Sequence, residues 1–141
     1  MDYTAMSTQP LRRQTLVLVT DQFQCERIIK ASRAIAGITH TQLRVFHISA
    51  EGHTSDPEAL QYLYNAAKQN GSVLEIAYNS DFMGAITETL ESTNTVNVIT
   101  GQPGDENSVL YTLWDRFPGI KFFTADADGR LDMVGAVRVA D

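Results

Sequence analysis

The sequence predicts an α/β protein in which a mainly parallel, five-stranded sheet lies between two helical layers, with an antiparallel C-terminal strand added at one edge. Two short apolar runs rich in β-branched residues, TLVLVT at 15–20 and VNVIT at 96–100, are typical of strands buried on both faces of such a sheet. Segments with helical spacing alternate with the strand-like runs, which predicts right-handed strand–helix–strand units. The 141 residues, 43% of them apolar, suffice for one core and one domain.

The first predicted unit is the strand at 15–20, the loop TDQFQ and a helix that begins near Cys25. Apolar residues recur at helical spacing through IIKASRAIA, and Gly37 is placed to end this helix in a left-handed conformation. The segment QLRVFHIS at 42–49 alternates in polarity and predicts a second strand, in which His47 is a hydrogen-bonded core histidine.

The second helix, at 55–71, has clear signals at both ends. Ser55 or Asp56 is expected to cap it, Pro57 fits its first turn, and Gly71 follows its end. The later predicted elements are, in chain order, a strand at 72–78, a helix at 81–93, a strand at 96–100, a short helix in SVLYTLWDRF, a strand at 120–125, a DADG hairpin turn at 126–129 and an antiparallel strand at 130–139.

Composition excludes several classes of function. Seventeen acidic against eleven basic residues give a net charge of -6, which disfavours nucleic-acid binding. One cysteine forms no internal disulfide, and the scattered histidines predict no metal site. We interpret residues 1–13 as a flexible segment before a single domain at 14–141. No apolar run predicts a signal peptide or a membrane span, so we expect a cytoplasmic protein with no membrane partner.

The expected strand order, 3-2-1-4-5, places a ligand site beyond the carboxyl ends of strands 1 and 4. The candidate ligand-binding residues that follow from this position are Thr20, Asp21, Gly101, Gln102, Gly104, Asn107 and Ser108. Each has an alternative structural role. Asp21 can accept a ligand hydroxyl or cap a helix, GQPG can bind an anion or form a tight turn, and Asn107 and Ser108 can contact a ligand or cap the next helix.

Cys25 is a second kind of candidate. A thiolate at a helix N-terminus, close to Arg27, would be redox-sensitive or nucleophilic. The alternative, which we favour, is a small packed residue in the first helical turn.

The chain resembles the universal stress protein family, and within it the stress-protein domain of bacterial potassium-sensor histidine kinases. The resemblance spans about residues 14 to 126 and rests on four segments, LVLVTDQFQCERIIKASRAIA, LRVFHIS, EALQYLYNAAKQNGSVLEIAYNSDFMGAITETLES and VNVITGQPG. It implies a Rossmann-like sheet similar to that of adenine nucleotide alpha hydrolases, frequent homodimers and, in one branch of the family, ATP binding.

The resemblance also implies a nucleotide site with a characteristic motif. Members that bind ATP have an aspartate at the end of strand 1 and G-x2-G-x9-G-[ST] after strand 4. Gly101 and Gly104 match the opening of the motif, whereas Trp114 and Asp115 stand at its end and Thr20 stands at the aspartate position. An indole blocks close backbone approach and a carboxylate repels phosphate, so the phosphate half of the site is predicted to be lost. Ile48 matches the strand 2 position whose backbone faces adenine.

Two functions remain open. The leading hypothesis is a non-catalytic stress-protein-like module with a degenerate ATP loop and no required cofactor, which acts by binding a partner or small ligand and dimerises through strand 5 or the C-terminal strand. The alternative is a protein that binds ATP or another adenine nucleotide with weak or no hydrolysis.

Overall fold

The computed structural model describes residues 12–19, 25–49, 57–72, 74–102, 109–126 and 128–134. Within these residues the chain forms four helices and a six-stranded sheet, with the order β3-β2-β1-β4-β5-β6. The strands are β1 (Gln14–Val19), β2 (Gln42–Ser49), β3 (Leu74–Tyr78), β4 (Thr95–Gly101), β5 (Lys121–Ala125) and β6 (Leu131–Met133). The helices are α1 (Cys25–Thr39), α2 (Pro57–Gln69), α3 (Phe82–Ser92) and α4 (Val109–Arg116).

All neighbouring strands are parallel except β5 and β6, which are antiparallel. The predicted fold class is therefore confirmed: a Rossmann-like three-layer sandwich with β1 at the centre of the parallel strands and an antiparallel C-terminal strand at one edge.

Successive residues of the central strands point to opposite faces, so each strand contributes to two cores. Val17 packs in the core beneath α1 and α2, whereas its neighbour Leu16 packs in the core beneath α3 and α4. Both side chains are fully buried, and Val98 and Ile99 of β4 divide in the same way. This two-sided burial explains why the two strands were recognisable as continuous apolar runs.

The first helix ends later than predicted. Gly37 lies inside α1, and the left-handed residue is His40, with φ of 56°. The Thr41 N–H donates to the Ala36 carbonyl, which is the closing bond of a Schellman motif with histidine in the position that glycine usually occupies. The Thr39 hydroxyl donates to the Ile35 carbonyl and holds the last turn. The second helix has the predicted end, with Gly71 at φ of 77°.

The DADG turn is confirmed as a hairpin. The Asp126 N–H donates to the Arg130 carbonyl at 3.0 Å, and Gly129 has the positive φ of 84° that a tight turn requires. The strand after it ends at Met133, Val134 forms a turn, and the remaining residues of the predicted strand, 135–139, lie outside the described residues. Because β6 pairs with β5, strand 5 is an inner strand over the paired residues and β6 provides the edge.

Candidate functional site

A cavity of about 230 Å³ opens at the carboxyl ends of β1, β2 and β4. This is the place where the strand order reverses, between β1 and β4, and it is where ligands of open α/β sheets bind. The residues that line the cavity are Leu18, Val19, Phe46, Ile48, Phe82, Thr100, Gly101, Gln102 and Leu110. Most of these side chains belong to the core that faces α3 and α4, so the cavity lies on that side of the sheet.

The start of α3 positions one wall of the cavity. Asp81 caps this helix, because its Oδ1 accepts a hydrogen bond from the Gly84 N–H at 3.0 Å. The Asn79 side chain in turn accepts from the Asp81 N–H at 2.8 Å. A Cβ at Gly84 would overlap the Asp81 carboxylate, so a larger residue there would require the Asp81 side chain to shift. The capped turn holds Phe82, the first residue of α3, at the cavity.

The polar groups of the cavity come from the end of β4. The Thr100 hydroxyl donates to the Gly101 carbonyl at 2.7 Å and is buried. Gln102 also lines the cavity and is exposed, so its amide can meet a ligand that enters from solvent. A Cβ at Gly101 would meet no atom of the described residues within 4 Å.

Three predicted ligand-binding residues meet at this cavity, namely Ile48, Gly101 and Gln102. The other five, Thr20, Asp21, Gly104, Asn107 and Ser108, lie outside the described residues. Their loops follow β1 and β4, which both end at the cavity. A cavity thus lies at the edge of the sheet that the topological argument selected, while the ligand-binding roles of all eight residues stay predictions.

The apolar wall was not predicted from the sequence. Leu18, Phe46, Phe82 and Leu110 line the cavity, and none of them is among the ligand-binding residues predicted from the sequence. A signal was present, because Phe46 and Ile48 are two residues apart near the end of one strand and therefore share a face. Two apolar side chains near the carboxyl end of a strand, on the same face, can line a cavity as well as pack in the core.

Trp114 lies in the body of α4, with its ring 5.0 Å from that of Tyr111 in an edge-to-face arrangement. It packs against the core and does not line the cavity. Phosphate-binding motifs place small residues before a helix N-terminus. Helix α4 starts eight positions after Gly101, at Val109, whereas the third glycine of the motif is thirteen positions after the first. The segment between β4 and α4 is therefore too short to contain the complete motif.

Cys25 is the first residue of α1, as predicted, and is 4% exposed. It packs in the core beneath α1 and α2, so this arrangement favours the packing role over the redox role. His47 is a buried core residue, as predicted, and its Nδ1–H donates to the Val19 carbonyl at 2.9 Å. Because a carbonyl only accepts, Nδ1 carries a proton. Among the residues that the structure describes, the buried Nε2 has no hydrogen-bond partner.

The described residues contain no group of three or more His, Cys, Asp and Glu side chains that could hold a metal ion. In the same part of the chain, no helix combines the length and apolar character needed to cross a membrane.

The fold and the cavity define an α/β protein of the Rossmann-like class with a small, mainly apolar cavity at the switch point of its sheet. No protein-family model matches the chain, and no curated protein matches it.

Proposed function

We propose that the protein is a cytoplasmic, non-catalytic module of the universal stress protein type that binds a small planar ligand and acts through dimerisation and a protein partner. The observation that carries the proposal is the cavity at the carboxyl ends of β1, β2 and β4. Its walls are apolar, and none of the described residues that line it has a titratable side chain. Acid–base and nucleophilic catalysis both need such groups within hydrogen-bond reach of the substrate.

The size of the cavity sets the size of the ligand. Its volume of about 230 Å³ is below the range of about 300–1,000 Å³ that is typical of sites for drug-sized ligands. One planar fused ring system, held between Phe46 or Phe82 and the backbone at Gly101, fits these walls. Larger parts of a ligand would extend past Gln102 into solvent.

An adenine nucleotide is the second candidate, and one observation favours it. Ile48, the position that the family resemblance assigns to adenine contact, lines the cavity together with Gly101 and Gln102. The short segment between β4 and α4 argues against tight binding of the phosphates. A nucleoside and its triphosphate should therefore bind with similar affinity.

Calorimetric titration with adenosine, and separately with ATP and Mg²⁺, tests both candidates. The proposal expects saturable adenosine binding, with ATP no tighter, and no release of inorganic phosphate above the rate without protein. ATP binding at least about tenfold tighter than adenosine, a difference of about 1.4 kcal/mol, would favour the nucleotide-binding alternative. If adenosine does not bind and mass spectrometry of the denatured protein finds no copurified small molecule, the ligand-binding proposal is wrong.

Ile48→Phe is the sharpest variant for this test. Ile48 lines the cavity, is half-buried, and lies on the same face of β2 as Phe46. The larger ring would occupy part of the space that the ligand needs, and adenosine affinity should fall by about tenfold or more. Ile38→Phe is the matched control, because Ile38 lies at an exposed position of α1 and does not line the cavity.

A further inference from the structure

A second cleft, of about 490 Å³, opens at the opposite, amino-terminal edge of the sheet. It lies where α1 and α2 end and where β2 begins. The cavity proposed to bind a planar ligand lies at the carboxyl edge, so the two sites have no lining residue in common.

The charge of this cleft is opposite to that of the chain. Arg12, Arg33 and His40 line it, and none of its described lining residues is acidic. The chain as a whole has a net charge of -6, so a cluster of basic groups without acidic neighbours is unlike the average surface. In the described part of the chain the ion pairs join Arg27 to Asp128 and Arg44 to Glu75, and neither includes a residue of the cleft.

The two helix ends oppose an anion here, because a helix C-terminus is equivalent to about half a negative charge. Several of the terminal carbonyls are already occupied by hydrogen bonds. The Thr41 N–H donates to the Ala36 carbonyl, and the Ser72 N–H donates to the Ala67 carbonyl. The Asn70 side chain donates to the Ala66 carbonyl at 2.8 Å. The two positive charges of Arg12 and Arg33 therefore outweigh the partial negative charges of the two helix ends, whose carbonyls are partly occupied by hydrogen bonds.

The cleft has both the space and the hydrogen-bond donors that an anion needs. A Cβ at Gly37 or at Gly71 would meet no atom within 4 Å in the part of the chain that the structure describes, so the described backbone leaves room for a ligand at both helix ends. The exposed Gln42 amide and a ring N–H of His40 add neutral donors to the two guanidinium groups. Guanidinium groups present paired N–H donors that match the oxygens of a phosphate.

We propose that this cleft is a binding site for a small phosphate-bearing anion, with Arg12 and Arg33 as the charged ligands and His40 as a further donor. The left-handed conformation of His40 supports the assignment, since it turns the chain at the end of α1 and places a histidine, not a glycine, at the cleft. The proposal does not depend on the identity of the ligand at the carboxyl edge.

Titration of the whole chain with inorganic pyrophosphate, followed by calorimetry and by amide chemical shifts, tests the site. We expect saturable binding, with the largest shifts at Gly37, Gly71 and their neighbours. Arg12→Gln and Arg33→Gln should each weaken binding by about fivefold or more, because each removes a charged donor. The double variant should abolish saturation.

Arg13→Gln and Lys30→Gln are matched controls, because both residues are exposed, lie beside or on the same helix as the tested arginines, and do not line the cleft. We expect affinities within about twofold of the wild type for both. Arg33→Lys keeps the charge and should bind better than Arg33→Gln. Equal losses in all four charge-removing variants would show diffuse attraction by surface charge and would overturn the proposal. So would the absence of saturable pyrophosphate binding to the wild-type chain.

Discussion

The Nδ1–H of His47 donates to the carbonyl oxygen of Val19 at 2.9 Å and joins β2 to the last residue of β1. The two residues are also register partners in the sheet. His47 is 5% exposed, so the bond is shielded from water. Val19 lines the cavity at the carboxyl edge, and the histidine therefore fixes the backbone of one cavity wall through a side-chain bond at the point where β1 ends.

Two substitutions of His47 separate the contribution of its hydrogen bond to stability from the contribution of the volume of its ring. His47→Leu leaves the Val19 carbonyl without its donor and should lower the free energy of unfolding by about 1–3 kcal/mol. His47→Asn offers an amide N–H close to the position of Nδ1 and should recover part of this loss. Urea unfolding measures both variants. Because asparagine also removes more apolar volume than leucine, equal stability would mean that the bond offsets this loss, whereas a His47→Asn variant less stable than His47→Leu would contradict the predicted recovery.

A buried polar network at the other end of the sheet gives a second prediction. Asn97 is 2% exposed, and its Nδ2 donates to Thr15 Oγ1 at 3.0 Å and to Thr39 Oγ1 at 3.1 Å. Asn97→Leu removes both N–H donors and should destabilise the fold by about 2 kcal/mol, because Thr15 Oγ1 stays buried. Asn65→Leu, at an exposed position of α2, is the control and should change stability by less than about 0.5 kcal/mol. Similar midpoints for the two variants in urea unfolding would contradict the role of the network.

The central strands were predictable because a strand that is buried on both faces has a continuous run of apolar residues in the sequence. The predicted strands at 15–20 and 96–100 differ from β1 and β4 by one residue at each end. The end of α1 was not predictable in the same way. Gly37 carries the usual local signal, but the helix continues to Thr39, whose hydroxyl is bonded to Asn97, 58 positions further along the chain. A contact between such distant residues leaves no local pattern.

The site was predictable in its position and not in its composition. The order of the strands brings Ile48 to Gly101 and Gln102, and that order follows from the alternation of strands and helices. Leu18 and Leu110 could not be assigned to a cavity, because an apolar residue that lines a cavity and one that fills a core have the same pattern. What separates them is whether a neighbouring side chain fills the adjacent space, which depends on packing between distant elements.

Tyr62 supplies a prediction about pH. Its hydroxyl donates to Glu26 Oε2 at 3.1 Å and joins α2 to the first turn of α1. Burial, and then the hydrogen bond to the Glu26 carboxylate, raise the pKa of Tyr62 above its ordinary value of about 10. When the pH rises above about 10, Tyr62 loses its proton in the unfolded chain, whereas in the folded protein it keeps the proton until the pH reaches the raised pKa. The stability that Tyr62 contributes is thus complete below about pH 10 and is lost as the pH rises through the folded-state pKa.

Chemical unfolding at a series of alkaline pH values measures this effect. The free energy of unfolding should fall more steeply above about pH 10 in the wild type than in Tyr62→Phe, which lacks the titrating group. Tyr64→Phe, on the same helix and 45% exposed, should keep the wild-type slope. A Tyr62→Phe variant with an unchanged slope would show that other groups cause the alkaline loss.

The backbone pattern of the hairpin shows which groups of β6 are free to pair with a second chain. The Val134 N–H donates to the Phe122 carbonyl at 2.8 Å, and the Asp126 N–H donates to the Arg130 carbonyl. Hydrogen-bonded pairs alternate along antiparallel strands, so the backbone groups of Asp132 also face β5. Those of Met133 face away from the sheet, and its side chain is 42% exposed.

The proposed dimer can therefore be tested by removing a single N–H. Met133→Pro removes an outward donor and should convert a dimer that forms through β6 to a monomer, with little change in the stability of the chain. Asp132→Pro removes an inward donor and should destabilise the hairpin itself. Met133→Thr keeps the N–H and controls for the loss of the apolar side chain. Sedimentation velocity measures the assembly state. A wild-type monomer would contradict dimerisation, and a Met133→Pro dimer would exclude β6 as the contact.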